Sequence, residues 1–528
     1  MKHTLRIIPL IAVLSVAFGL ACQVSGQASG QVDPGRSAGL PAAASPAREA
    51  LAARPESSAP AAELQWQTDL SAAREKARSS GKLIFIDLYT DWCGWCKRLD
   101  RDTYSDAAVQ EFLNGKFVLV KLDGEDGGQG EAAVKRYGVD GYPCLIVLDP
   151  ASDAFAIHTG YLRPPEFRGR ITELINELSP TSKLLKSAAS LWQSKGPAAA
   201  EKVYKEAWSQ VKQLKKADGA YVQAVSELGE FYVQTGRFAE AERLLSEAIE
   251  RGKTTQGFAR LDLAALQAQL GVCRLEASQY REAVGSLQAA LALVDPAKEP
   301  PLAVLIRQNL GSAFERDGQK NEAEQEYKAA LELATAKGAP PAVITDLAGD
   351  YATYLRECGR LSDAEKEYER GLKAVGPGSR LAPLRLTAGL AIVRARQGRK
   401  AEAEQLCAQT KRVFDVVSRF SRRSVDGKLQ AAYAARAIGQ CCGELGDVEG
   451  ADLFYKRAMS LDDEVRGMNN PGYLSDHTEL ADVYLKAGQK SMAEHYYALA
   501  LRIATNIYGS QHWETARIEK LLAQARTQ

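Results

Sequence analysis

Three changes of hydrophobic spacing divide the 528-residue chain. An unbroken apolar run from Ile7 to Ala21 follows a basic start of Lys2, His3 and Arg6. Over residues 23–62 large apolar side chains become sparse among Ala, Ser, Gly, Pro and Gln. From 63 to about 180, short apolar runs alternate with stretches of helical spacing. The runs predict strands at Trp66 and over 83–90, 117–122, 144–148 and 155–160. Between them, one helix starts at Thr68 or Asp69 and stops at Gly81, and another follows Trp92-Cys93. A third opens at Ser105-Asp106, carries Val109, Phe112 and Leu113, and ends at Asn114-Gly115. Two more are expected near 129–137 and from about Pro165 to Leu178. Such alternation means a mixed sheet covered by helices on both faces, an α/β fold.

Beyond Leu178 the spacing is helical with almost no strand signal, and a phrase recurs. Leu228-Gly229, Tyr232, Gly236-Arg237-Phe238, Ala241 and Ala248 return as Leu270-Gly271, Tyr280, Ala283 and Ala290. They return again as Leu310-Gly311, Gly318, Ala323 and Ala330, and more weakly through Gly359-Arg360, Gly398-Arg399, Ile438-Gly439 and Leu480-Ala481. The period is about 40 residues. Small residues at fixed places let paired helices approach, and glycine turns the chain, so residues 181–528 read as an all-α solenoid of helical hairpins. The array resembles tetratricopeptide repeats (TPR), in a class longer than the usual repeat of about 34 residues. Seven copies are clear, and Gly196 with Ala200 marks an eighth. The resemblance implies a concave groove that binds a peptide or protein; a spacer or oligomerisation arm is the other reading.

Charge narrows the partners. Lys and Arg number 67 against 66 Asp and Glu, which argues against nucleic acid and against an electrostatic grip on membranes. The N-terminal apolar run is shorter than the roughly 20 residues of a membrane-spanning helix. Residues 1–22 therefore read as a signal peptide, with an uncleaved anchor as the alternative. The ending Phe18-Gly19-Leu20-Ala21-Cys22 resembles a bacterial lipoprotein cleavage site with Cys22 lipidated, although leucine at −2 and glycine at −3 depart from the usual form. Ordinary signal-peptidase cleavage nearby is the competing reading. Residues 23–62 cannot bury enough surface to offset their ordering entropy and read as a disordered linker. Its reach is on the order of 35 Å. The expected location is the bacterial periplasm or cell envelope.

Nine cysteines make a poor disulfide framework at this length. Two stand in Trp92-Cys93-Gly94-Trp95-Cys96-Lys97, between an apolar strand and a helix N-terminus. Free N–H groups and the helix dipole there favour a thiolate on Cys93, and Cys96 is near enough to attack a mixed disulfide. Half of a zinc site is the other reading, but no second CxxC or paired histidines accompany it. No metal and no cofactor are expected. The Asp123-Gly124-Glu125-Asp126-Gly127-Gly128 loop lacks EF-hand spacing. Cys273, Cys358, Cys407, Cys441 and Cys442 fall in the repeats, where small buried positions explain most of them. Adjacent Cys441 and Cys442 are the odd pair to leave unprotected in an oxidising compartment.

The stretch from Ile86 to Lys97 resembles thioredoxin, and more closely the C-terminal domain of DsbD-type periplasmic disulfide reductases. Thr103-Tyr104-Ser105-Asp106, Lys121-Leu122-Asp123, Arg136 to Pro143 and Thr159-Gly160-Tyr161 continue the match in order. The resemblance implies a thioredoxin fold over residues 63–180 with Cys93 as nucleophile and Cys96 as resolving thiol. It makes Asp87 the buried carboxylate that takes the Cys96 proton, and Lys121 its partner. It makes Pro143 the cis-proline facing the disulfide, with the Tyr142 backbone exposed to a client strand. Asp100 matches an acidic residue four beyond the second cysteine, with a solvated helix face as its other reading. Trp92 and Trp95 read as a substrate-docking rim. Cys144 departs from the pattern, either as a buried strand residue or as a third thiol near the pair.

The whole reads as an exported thiol-disulfide oxidoreductase that reduces or isomerises client disulfides. Its expected partners are those clients, a membrane or periplasmic thiol electron donor, and a peptide or protein held by the repeats. The competing class is an envelope scaffold that uses its thioredoxin domain mainly for binding.

Overall fold

The computed structural model describes residues 63–213, 219–254, 258–375, 381–421 and 424–527. The expected signal peptide, Cys22 and the 23–62 linker lie outside them. The described chain divides into two compact units between Ser179 and Pro180.

The first unit is built on strands apolar on both faces. Its elements run β1 (Trp66–Gln67), α1 (Leu70–Ser80), β2 (Leu83–Tyr89), α2 (Gly94–Arg98) and α3 (Ala107–Lys116). They continue as β3 (Phe117–Asp123), α4 (Gln129–Tyr137), β4 (Cys144–Leu148), β5 (Phe155–Thr159) and α5 (Pro164–Glu177). The sheet order is β1-β3-β2-β4-β5, with β1, β3 and β2 parallel and β4 and β5 antiparallel to their neighbours. The two-residue period of a strand divides the side chains between two cores. Ile84, Ile86, Val118, Val120 and Ile146 meet Ala73 and Ala77 of α1 and Ala133 and Tyr137 of α4. Phe85, Leu119, Leu145 and Val147 meet Val109 and Leu113 of α3 and Phe167, Ile171 and Leu174 of α5.

Local chemistry sets the ends. Asp69 caps α1 by accepting from Ser71 and Ala72 N–H groups, and Gly81 closes it at φ 66°. Asp106 caps α3 in the same way. Asn114-Gly115 does not end α3 as expected: the helix runs on to Lys116, and Phe117 still donates its N–H to Leu113.

Among the described residues, seventeen helices follow in the second unit. The first pairs are α6 (Pro180–Lys195) with α7 (Pro197–Val211), and α8 (Gly219–Gln234) with α9 (Phe238–Thr254). Next come α10 (Arg260–Glu276) with α11 (Tyr280–Ala292), and α12 (Pro300–Arg316) with α13 (Lys320–Ala336). Then α14 (Pro341–Glu357) pairs with α15 (Leu361–Ala374), and α16 (Ala382–Arg396) with α17 (Lys400–Ser421). Last are α18 (Val425–Leu445) with α19 (Val448–Arg466), α20 (Pro471–Lys486) with α21 (Lys490–Tyr508), and a final α22 (Trp513–Thr527). The recurring small residues sit where helices touch. A Cβ on Gly311 would lie 2.9 Å from the Tyr327 ring, and one on Gly439 3.0 Å from Tyr455. The hairpin turns use left-handed glycines such as Gly318 at φ 83°, and Ser278 takes that conformation in the α10–α11 turn.

Late repeats also return against early ones. Trp192 Nε1 donates to Val465 O at 2.7 Å, Tyr508 stacks on Phe238, and Trp513 Nε1 reaches Ser278 O at 3.4 Å. The C-terminal pairs meet around buried charge: Arg436 Nε donates to Asp476 at 2.6 Å, and its Nη2 to Asp462 at 2.7 Å and to Asp476 at 2.8 Å. Arg436 thereby links α18, α19 and α20. Removing it strands two buried carboxylates, so Arg436→Ala is expected to destabilise this region by about 3–5 kcal/mol. Denaturant unfolding read by far-UV circular dichroism checks this.

Candidate active site

Register sets the site. Asp87 on β2 pairs with Lys121 on β3, and by alternation both side chains share the face of Phe85 and Leu119, the one covered by α3 and α5. Lys121 Nζ lies 3.5 Å from Asp87 Oδ2 and also donates to Asp100 Oδ1. Asp100 reaches it because the helix widens after Arg98 into a π-helical turn, Leu99–Thr103. One lysine thus bridges two carboxylates, one buried and one exposed. Its ammonium also lies against the rings of Tyr89, Trp66 and Tyr104.

Asp87 is 1% exposed. Burial pushes its carboxyl from 3.8 to about 6, against the opposing pull of Lys121. Tyr104, buried beside it, turns its hydroxyl toward the same carboxyl, and burial with that neighbouring charge raises the phenol well above its ordinary value.

Beyond Tyr89 the chain turns into α2. Cys93 caps that helix, its Sγ accepting from the Cys96 N–H at 3.1 Å. Cys93 and Cys96 are joined as a disulfide, both nearly buried. Two indoles stand out beside them, Trp92 68% and Trp95 55% exposed. Trp92 Nε1 donates to Glu125 at 3.0 Å and meets Tyr142 edge-on at 6.0 Å. Tyr142 lies over Gly124, where a Cβ would come 2.3 Å from its hydroxyl, and the Tyr142–Pro143 peptide is cis. On the other flank Trp95 packs on Tyr161, and the Arg98 guanidinium covers both rings.

Cys144 is fully buried in β4, beside Leu88 and Thr159, and burial pushes its thiol up to about 11. Such a thiol stays protonated and packs as a small apolar residue. The acidic loop has a structural role: Asp126 accepts from the N–H groups of Gly128, Gly130 and Glu131 and caps α4. Among the described residues, no group of His, Cys, Asp or Glu is disposed to hold a metal ion.

Sequence reasoning did not single out Tyr104, Glu125, Tyr161 or Arg98. Tyr104 and Tyr161 stand inside the matching segments Thr103–Asp106 and Thr159–Tyr161, which was the available signal.

A sheet of this order with a disulfide capping the helix after β2, followed by helical hairpins, defines a two-part protein. Residues 65–150 match the thioredoxin-like family, 229–437 the MalT-like TPR region and 478–514 a tetratricopeptide repeat. The chain therefore carries a thioredoxin-like domain followed by tetratricopeptide repeats. Its first part is 30% identical over 109 residues to the thiol:disulfide interchange protein DsbD of Actinobacillus pleuropneumoniae, covering 20% of this chain and 18% of that protein. It is 33% identical over 107 residues to DsbD of Cronobacter sakazakii, with the same shares. The chain thus spans less than a fifth of these relatives' length. A solved DsbH oxidoreductase aligns over 22% of this chain and 87% of its own, at 20% identity and a TM-score of 0.20.

The raised Asp87 carboxyl costs stability in a defined pH window. Between pH 3.8 and about 6 the folded protein keeps a proton that the unfolded chain has lost, so stability falls as pH rises through that range and stays level above it. Asp87→Asn removes this cost. The variant is expected to be more stable than the parent by up to ~3 kcal/mol above pH 6 and nearly equal to it below pH 4. Thermal melts across pH check this.

Proposed function

We propose that this protein is an exported thiol-disulfide oxidoreductase that reduces or isomerises disulfides in protein clients, its repeats recruiting protein partners. The observation that carries the reading is a disulfide whose first cysteine caps a helix, following the strand that bears a buried carboxylate whose lysine partner is shared with a second acid. In the reduced protein the Cys93 thiolate attacks a client disulfide and releases one client thiol. Asp87, poised near neutrality, takes the Cys96 proton; Cys96 then attacks Cys93 Sγ and frees the second client thiol. Lys121 steadies the Asp87 charge, and Asp100 tempers that lysine. Trp92, Trp95 and Tyr142 form the docking rim, with Pro143 fixing the loop beside it. Two electrons from a membrane or periplasmic thiol donor restore the dithiol.

Gly94-Trp95 inside the motif, with no histidine, supports a reducing potential of roughly −270 to −200 mV. Among the described residues no helix is long and apolar enough to cross a membrane. The proposal places the folded units in the cell envelope, held by a lipid on Cys22 and the 23–62 linker. Palmitate labelling in a bacterial host is then expected to be lost in Cys22→Ala.

Cys96→Ala, expressed with its leader in a bacterial envelope, is expected to accumulate mixed disulfides on Cys93 that disappear when Cys93 is also replaced. Non-reducing gels and mass spectrometry read this. Asp87→Asn is expected to slow client reduction on the order of 10²-fold, most strongly between about pH 6, where the carboxylate is ionised, and about pH 8.5, below which a thiol keeps its proton. A Cys93 that alkylates readily yet captures no client assigns the main role to the repeats as a scaffold.

A further inference from the structure

Six cysteines among the described residues lie outside the Cys93–Cys96 pair, and three of them converge. Cys407 is on α17, while Cys441 and Cys442 are consecutive on α18, across the junction of the sixth and seventh helix pairs. Cys407 Sγ lies 3.7 Å from Cys442 Sγ, and Cys441 also directs its thiol at Cys407. All three are buried within one apolar cluster that includes Phe414, Phe454 and Tyr455. A single buried cysteine is an ordinary small core residue. Cys273 is of that kind, its thiol donating to the Phe238 carbonyl at 3.5 Å. One thiol met by two from the next helix is a different arrangement. A disulfide brings two sulfurs to about 2.05 Å, so thiols already in van der Waals contact have only part of their separation left to close.

We propose that Cys407 and Cys442 form a second disulfide that ties α17 to α18, leaving Cys441 as the free thiol beside it. The bond would join positions 35 apart in different helix pairs. In a solenoid each pair is held by contacts with its neighbours, so a covalent tie there acts directly on the coupling between repeats. The inference stands apart from the chemistry of Cys93 and Cys96 and from the proposed activity.

The surroundings supply the attacking group. Cys407 is held toward its thiolate by hydrogen bonds from Cys441 and Cys442 and by the nearby Lys411 ammonium. Donation to Cys407 together with burial holds the other two thiols in their protonated forms. Lys411 is itself fixed by Asp447 at 2.7 Å. With a small-molecule disulfide RSSR as oxidant, the Cys407 thiolate attacks one sulfur, forming Cys407–S–S–R and releasing RS⁻. Cys442 then loses its proton and attacks Cys407 Sγ, releasing the second RS⁻. Two protein thiols give up two electrons and two protons, and RSSR leaves as two RSH. Burial confines these steps to the folding chain or to openings of the α17–α18 junction.

The test uses the full chain. The protein is unfolded in denaturant with dithiothreitol, then refolded in a buffer of reduced and oxidised glutathione. Free thiols are blocked with N-ethylmaleimide, and the protein is digested with trypsin without reduction. The expected product is residues 401–411 linked to residues 437–456, separating on reduction, with maleimide on Cys441. Cys441→Ser is expected to keep the linkage and Cys407→Ser to lose it. Reduction is expected to lower the thermal midpoint of the repeats in the wild type more than in Cys407→Ser. Recovery of all three cysteines as maleimide adducts in refolded protein overturns the proposal, as does a Cys441–Cys442 or Cys407–Cys441 bond. The wild-type peptide map decides even where a variant fails to fold.

Discussion

Asp87 interrupts a strand whose other inward residues are apolar on both faces, and its carboxyl is withdrawn from water with a counter-charge only at 3.5 Å. The cost of an incompletely paired buried acid is what brings the pKa to about 6. Much of the first unit is arranged around that group. The parallel register of β2 with β3 brings Lys121 alongside, the π-helical turn brings Asp100 to the lysine, and Tyr104 closes the remaining side. The same strand carries the chain to the helix cap at Cys93, so the disulfide and the buried carboxyl share one rigid support.

The aromatic rim follows from loops on either side of that support. Gly124 admits Tyr142, which steadies Trp92, while Tyr161 and Arg98 hold Trp95. The indoles are thereby exposed but not free, a state suited to contact with another chain at little cost in side-chain ordering.

In the second unit the decisive quantity is the distance of closest approach between helices. Glycines facing Tyr327 and Tyr455 set it, and a tyrosine fills the space that each glycine leaves. Repeated along the array, this packing brings the late pairs back to the early ones, where Trp192 bonds to Val465 and Tyr508 stacks on Phe238. The Arg436 cluster is a consequence: charges that would be solvated on an isolated hairpin lose their water and are retained only in pairs.

The strands and helices of the first unit, their caps at Asp69 and Asp106, and the hairpin period of the second were legible in the sequence, because each is dictated by neighbours a few residues away. The Cys93–Cys96 pair was legible in its spacing, whereas the meeting of Asp87 with Lys121 was implied only by the resemblance, because the register of two strands brings them together. The π-helical turn was not legible, because a single extra residue per turn leaves no mark in hydrophobic spacing. Nor were the Trp95–Tyr161–Arg98 stack, the return of late repeats onto early ones, or the meeting of Cys407 with Cys442. Those contacts join residues from 35 to more than 270 positions apart in the repeats. Local pattern determined which elements exist and which face each one buries. The tertiary structure alone decided which buried faces meet, because small helix-to-helix offsets accumulate over many repeats and no short stretch of sequence encodes their sum.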